Sequence, residues 1–476
     1  MPIQARPSGA TAAIALFLGM AGCAGTPPLS GRGILVDLER DRVPLTDGAG
    51  RVTAEPVHSA VQLPDSGPIS LADLFAVAEA KNPNLAAVQS EVGVAAGELW
   101  QASLYPNPRI DLASEDISWR NGLADAKTTV GLTQPFVLGD RRRAAIAATT
   151  AERAARLSAV EARKRSLFGD IAVEHAHLVA LGEQQRLYAE LRQLADRTLS
   201  AAQTRFEAGA APETDVIRPR VEVYRIDAAL GRLAQERRAS VKQLGLLLGG
   251  VEVDAARLDG VVPLTPESLD ASALEAAVRN AHPTLLVADK EIEAAEARVE
   301  RERSERTPDL DVRVAAGYRG ESDDGIVEVG VGMTIPLWDA REGSILSARF
   351  ALMRARQQRD ATQNDLLGRL AAALGEYEAA KAQLDTFRDK IVPDARRAFE
   401  QTAEGYRGGR SSFLDLLDAQ RTVTEARVTL IDLAGAAAAA RAKVIRLVGP
   451  QGLDTASPLT APSPTEERPP GAEVKP

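Results

Sequence analysis

With 57 Lys+Arg against 66 Asp+Glu, a formal charge of −9, the 476-residue chain has no bulk attraction for nucleic acid, and its charges are interspersed along periodic segments. Aromatic residues make up 4% and hydrophobic residues 45%, with alanine abundant, which disfavours an aromatic-rich enzyme core and favours close-packed long helices. One cysteine rules out an internal disulfide framework and any CxxC metal site.

Residues 1–22 have the make-up of a signal peptide: Arg6 is a small charged region, an apolar stretch covers 10–20, and Met20-Ala21-Gly22 stands directly before Cys23. These four residues resemble a bacterial lipobox, which implies cleavage before Cys23 and a diacylglycerol on its thiol. Past residue 22 no apolar run approaches the ~18 residues that a membrane-spanning helix needs, so any membrane crossing falls to strands. Residues 23–68, rich in Pro, Gly and small polar residues, read as an acylated, extended leader.

The body is one unit used twice. Asn82-Pro83 with Leu85 recurs as His282-Pro283 with Leu285, and Phe206, Gly209 and Asp215 recur as Tyr406, Gly409 and Asp415, each at an offset of 283 − 83 = 200. The first repeat covers 69–250, a linker 251–268, and the second repeat 269–449. The tail 450–476 is proline-rich and predicted to be disordered.

In each repeat a short helix (71–80; 273–281) stops at an X-Pro step, because the residue before proline is pushed out of the α region. A second helix runs to about 104 or 306 and leads into a strand hairpin. In the second copy Leu310, Val312, Val314, Ala316 and Tyr318, and then Val327, Val329, Val331, Met333, Ile335 and Leu337, alternate with polar or small residues. The first copy has Ile110 and Leu112, then Val130, Leu132 and Phe136, around a longer loop. Trp100, Trp119 and Trp338 flank these strands, as suits rings at a bilayer interface, with ordinary packing an equal alternative for Trp100. Helices predicted over 140–207 and 340–404 then turn tightly at Gly209 and Gly409 and return. Val423, Ala426, Leu430, Leu433, Ala437, Ala440, Val444 and Leu447 form a coiled-coil seam on the return, and Leu187, Leu191, Leu194, Thr198 and Ala201 form one on the way out.

Four amphipathic strands close no barrel and leave open edges, which a membrane excludes, so the chain must oligomerise if the strands cross one. Apolar-out, polar-in alternation is the pattern of a transmembrane barrel with a wet lumen. A soluble sandwich would need a covering layer, and nothing in the sequence supplies it.

The order of elements, the duplication and three segments carry a resemblance: Asn82-Pro83-Asn84-Leu85, Gln101 to Pro108 (QASLYPNP), and Gln134 to Arg142 (QPFVLGDRR). Over 68–449 the chain resembles the TolC family of outer-membrane efflux proteins, and within it the CzcC-like outer-membrane components of heavy-metal RND efflux systems. That branch usually has glycine and lysine where Asp140 and Arg141 stand. The resemblance implies a mainly α chain with a small β part: a long coiled-coil α-barrel plus a 12-stranded β-barrel built by a homotrimer, four strands per chain. It implies a lipid-anchored protein of the outer membrane that extends into the periplasm. Its partners would be outer-membrane lipid, a periplasmic adaptor and an inner-membrane RND pump, with no nucleic acid. It places a periplasmic gate at Asp215, Tyr406, Asp415 and Asp418, and adaptor-docking turns at Arg205, Phe206, Gly209, Gly409, Arg410 and Ser411. Asp415 and Asp418, at i and i+3, share a helix face, so a trimer would gather six carboxylates at one constriction. Alternatively, both serve the first turn of the return helix, where the macrodipole favours negative charge.

No Walker A, GxSxG or HExxH sequence occurs, so no enzyme is expected. Of the four histidines, His175 and His177 are two apart and do not share a helix face, so neither a resident metal nor a cofactor is expected beyond the lipid on Cys23. Two rivals stand beside the metal-efflux reading: a channel of the same fold for drugs, organic compounds or proteins, and a lipid-anchored periplasmic coiled-coil adaptor.

Overall fold

The computed structural model describes residues 61–117, 119 and 122–449. The signal peptide 1–22, Cys23, His58, nearly all of the leader and the tail 450–476 lie outside the described residues.

In chain order the elements are α1 (Leu71–Lys81), α2 (Pro83–Ser103), β1 (Arg109–Glu115), β2 (Lys127–Phe136), α3 (Arg141–Glu207) and α4 (Thr214–Leu247). The same series follows again: α5 (Ala271–Ala281), α6 (Pro283–Ser304), β3 (Leu310–Arg319), β4 (Asp324–Met333), α7 (Glu342–Thr386), a π turn (Phe387–Ile391), α8 (Val392–Arg407) and α9 (Phe413–Val448). The chain divides into two compact units that cut across the repeats, one of residues 89–158 and 287–359, the other, within the described residues, of 61–88, 159–286 and 360–449.

The first unit is organised by one antiparallel sheet in the order β1-β2-β3-β4. Its register aligns Leu112, Val130, Ala316 and Val327 in one row and Ile110, Leu132, Val314 and Val329 in the next. This apolar face is the bare one: Ile110 is 74% exposed, Leu112 75% and Val329 73%. The opposite face carries the polar residues, with Thr129, Thr133 and Ala315 buried. There Asp111 of β1 and Arg313 of β3 pair at 2.6 Å across Gly131 of β2, where a Cβ would stand 2.9 Å from the Asp111 carboxylate and 3.0 Å from Arg313 Nε. Lys127 bridges Glu115 at 2.9 Å and Glu328 at 2.5 Å. Burying a side chain the size of valine or leucine is worth about 1.5–3 kcal/mol, so a sheet with its apolar face outward is stable only where something apolar covers that face.

β4 stops at Met333, short of the alternation that continued through Ile335 and Leu337, because β3 begins opposite it at Leu310 and Pro336 has no N–H for a ladder. Trp100, Trp119 and Trp338 are all exposed.

Two of the segments that carry the family resemblance pack on one another. Gln134 donates to the Pro106 carbonyl at 3.1 Å, and Arg142 donates to the Ser103 carbonyl at 2.9 Å with its guanidinium 4.3 Å from the Tyr105 ring. Arg141 holds Glu305 at 2.8 Å and Asp309 at 2.7 Å, which anchors the start of α3 to the approach to β3.

In the second unit α1 starts on a capping box between Ser70 and Asp73, and α5 on the Asp270 carboxylate. Each then ends at a residue that caps the next helix: the Leu85 N–H donates to Asn82 Oδ1 at 3.0 Å, and the Thr284 N–H donates to His282 Nδ1 at 3.1 Å. The first residue of the first repeat is tied to the linker, Ile69 N–H donating to the Arg257 carbonyl and Asp259 N–H to the Ile69 carbonyl. The linker is fastened in turn by Tyr377, whose hydroxyl donates to the Glu267 carbonyl at 2.5 Å, and by Arg388, which donates to the Leu264 carbonyl at 2.8 Å. On the seam of α9, Ala426, Ala437, Ala440 and Val444 are buried. Gly435 lets α9 approach α3 so closely that a Cβ there would lie 2.8 Å from that of Ala180.

Two expectations change. On α3 the buried stripe is Leu187, Leu191, Ala195 and Ala202, whereas Leu194 and Ala201 are exposed. The stripe steps by the regular turn toward Val223 and Ile226 of α4, leaving Leu194 on a second apolar line. The helix predicted over 340–404 is also interrupted by the π turn at Phe387–Ile391. Pro393 lacks an N–H and its ring would press on the carbonyl four residues earlier, and the wider turn takes up both defects.

Candidate functional site

The two helical turns lie in the same unit and share one backbone solution. At the first, the N–H groups of Gly209 and Ala210 donate to the carbonyls of Phe206 and Arg205 at 2.9 and 2.8 Å; at the second, those of Gly409 and Arg410 donate to Tyr406 and Gly405 at 3.1 and 2.7 Å. This double bond closes a helix C-terminus with a left-handed residue, and Gly209 and Gly409 have φ of +69° and +70°. At Gly405 a Cβ would press on the Ser411 hydroxyl, which would have to turn aside.

The turns differ in how the returning helix begins. Ser412 and Asp415 form a capping box at the start of α9: Asp415 N–H donates to Ser412 Oγ at 3.1 Å, and Ser412 N–H and Oγ each lie 2.8 Å from the Asp415 carboxylate. The Ser412 hydroxyl, then its backbone N–H, holds the Asp415 carboxyl below the usual carboxylate range. At α4 the capping position is Glu213, in helical conformation and without a side-chain cap.

Between the hairpins Arg205 donates to the Tyr406 hydroxyl, and its guanidinium stands 6.0 Å from the Tyr406 ring and 5.9 Å from that of Phe413. The two rings meet at 6.0 Å, tilted by 47°. Arg205, Tyr406 and Phe413, with Asp215, Arg197 and Leu416, line a cavity of about 400 Å³. Asp418 lines an adjoining groove of about 520 Å³ with Leu194, Ile217, Leu414 and Arg421, which shares Thr198, Leu417 and Gln420 with that cavity. Its carboxylate has no hydrogen-bond or ion-pair partner among the described residues. Phe206, Arg410 and the turn glycines are exposed, and Ser411 is half-buried.

The structure therefore joins Arg205 of one repeat to Tyr406 of the other, and separates Asp415, engaged at a helix start, from Asp418. Sequence reasoning missed Phe413; its signal was an aromatic opening the return helix just past the turn. Among the described residues no three His, Cys, Asp or Glu side chains are grouped to hold a metal, and no helix is long and apolar enough to cross a membrane.

The family model described as "Outer membrane efflux protein" matches residues 74–250 and again 275–450. The chain belongs to the outer membrane efflux protein family. Among curated relatives, this efflux protein is 26% identical over 388 residues to the cobalt-zinc-cadmium resistance protein CzcC of Cupriavidus metallidurans, covering 81% of this chain and 91% of that protein. It is 24% identical over 353 residues to the nickel-cobalt-cadmium resistance protein NccC of Alcaligenes xylosoxydans xylosoxydans, covering 72% of each. Among solved structures it is similar to the outer membrane protein VceC of Vibrio cholerae, with a TM-score of 0.64 and 20% identity, covering 80% of this chain and 96% of that one. The efflux protein is thus a mainly α outer-membrane transport component with a small four-stranded sheet.

Proposed function

We propose that this efflux protein is the outer-membrane channel subunit of an RND-type tripartite system and a passive conduit for heavy-metal cations. The observation that carries the channel reading is the inverted sheet, apolar outside and ion-paired on its other face, with β1 and β4 as unpaired edges among the described strands. Lipid covers such a face, and a homotrimer of four strands per chain gives a closed barrel of twelve. The cargo reading rests on likeness to relatives named for cobalt, zinc, cadmium and nickel resistance.

On this reading the periplasmic turns form the entrance. Arg205, Phe206, Gly209, Gly409, Arg410 and Ser411 present the docking surface for a periplasmic adaptor that links to the inner-membrane pump. Asp215, Tyr406, Asp415 and Asp418 form the constriction, with the unpaired Asp418 concentrating cations. Cys23 carries the lipid, and no resident metal or cofactor is needed, since a conduit gains by not holding its cargo tightly. The test is the growth of a deletion strain on zinc, cobalt, cadmium, nickel and copper salts, with and without the gene restored. Sensitivity to one or more of these metals, reversed by the gene, supports the cargo; sensitivity confined to organic compounds overturns it.

A further inference from the structure

The two turns have the same backbone but opposite charge. Between positions 206 and 214 the first turn carries Glu207 and Glu213 and no basic residue; between 406 and 414 the second carries Arg407 and Arg410 and no acidic one. All four side chains are exposed. None makes a hydrogen bond or ion pair with another described side chain, so their charges are available to a partner. Of the opposite charges that flank the turns, Arg205 donates to Tyr406 and Asp415 is held by Ser412, whereas Glu404 and Asp418 stand exposed outside the second turn, before and after it.

We infer that the two turns are non-equivalent docking surfaces for one periplasmic partner protein, the Glu207/Glu213 turn taking a basic segment of it and the Arg407/Arg410 turn an acidic one. The inference rests on the docking role proposed above. Any three-fold ring of chains with two hairpins each alternates first and second turns, so charge alternates around the entrance. Exposed charges add little affinity each, but they steer encounter and penalise like-charge juxtaposition. The two turns share one backbone path, so their opposite charge gives a partner a long-range means of telling them apart and sets the register between the rings.

The experiment is photo-crosslinking in intact cells, with a benzophenone amino acid placed at Thr214 in one strain and at the equivalent Leu414 in another, and the adducts mapped by mass spectrometry. The expected result is adducts to two segments of the same protein, basic at Thr214 and acidic at Leu414. Adducts to one segment from both positions, or to two segments of like charge, overturn the inference while leaving docking intact. No adduct from either position overturns docking as well. In parallel, E207K with E213K, or R407E with R410E, should each lower the inhibitory metal concentration about fourfold or more, with glutamine variants intermediate. A heat-stable oligomer on gels is the control for folding. Unchanged resistance in both reversed variants with intact oligomers also sinks the proposal.

Discussion

Arg205 and Tyr406 are 201 residues apart in sequence, yet a hydrogen bond and a ring contact join them, and Arg205 also stands against the Phe413 ring. Tyr406→Phe removes the hydroxyl alone, about 1 kcal/mol, and Arg205→Ala also removes the cation from both rings, about another 0.5–1 kcal/mol. If this contact restrains the hairpins, single-channel conductance in planar bilayers should rise for both variants and more for Arg205→Ala. Wild-type conductance in both would dismiss it. The two aspartates should separate in the same assay: Asp418→Ala lowers cation preference, whereas Asp415→Ala chiefly loosens the start of α9, seen as faster amide exchange over its first turn. His282 gives a pH-dependent test. Burial, reinforced by the charge of Arg165, pushes its imidazole down to about 4, and the residue is only 8% exposed. The folded state therefore binds fewer protons there, so the stabilisation is complete above the unfolded pKa near 6.5 and is lost as pH falls toward 4. The loss reaches about 3 kcal/mol. His282→Asn, the residue found at position 82, keeps a cap and should flatten thermal stability between pH 6.5 and 4; an unchanged acid dependence would place the sensitivity elsewhere.

At the level of elements the repeats diverge where proline intervenes. α3 runs unbroken for 67 residues, while its counterpart is divided into α7 and α8 by the π turn before Pro393. Pro393→Ala restores the missing N–H and removes the ring, so the ladder should close to a regular helix, with amide exchange over 387–391 slowed by about tenfold or more. Exchange as fast as in the parent would show that the Arg388 bond to Leu264, and not the proline, maintains the turn. Helix ends, strand hairpins and both turns were legible from local chemistry: X-Pro steps, period-two alternation and glycines at positive φ. The seam of α3 was not. Leu194 and Ala195 both offer an apolar position within one turn, and only the direction of α4, which brings Val223 and Ile226 against Ala195, decides between them.

For the whole molecule the sheet is the constraint. A lysine on the outward apolar face costs about 2–4 kcal/mol at a bilayer midplane, whereas a polar-face substitution is solvated. Val329→Lys should therefore lower the yield of heat-stable oligomer in outer-membrane extracts, and Asp311→Asn should leave it unchanged. Equal yields would count against lipid contact at that face. The same extracts test oligomer size, since three copies of a 50.5 kDa chain migrate well above the monomer.

Periodicity, duplication and turn chemistry are properties of neighbouring residues, so the amino-acid order alone settled the helix hairpins, the four strands and the 200-residue repeat. It also placed the candidate residues at two like turns. Contacts between residues hundreds of positions apart obey no local pattern, and these the folded chain decided. They include the Arg205–Tyr406 bond and the stacking of Arg205 on Phe413, whereas the capping of α9 by Ser412 and Asp415, three residues apart, is local. The physical reason is that a side chain's partners depend on which helix faces meet, and that is set by the packing of whole elements.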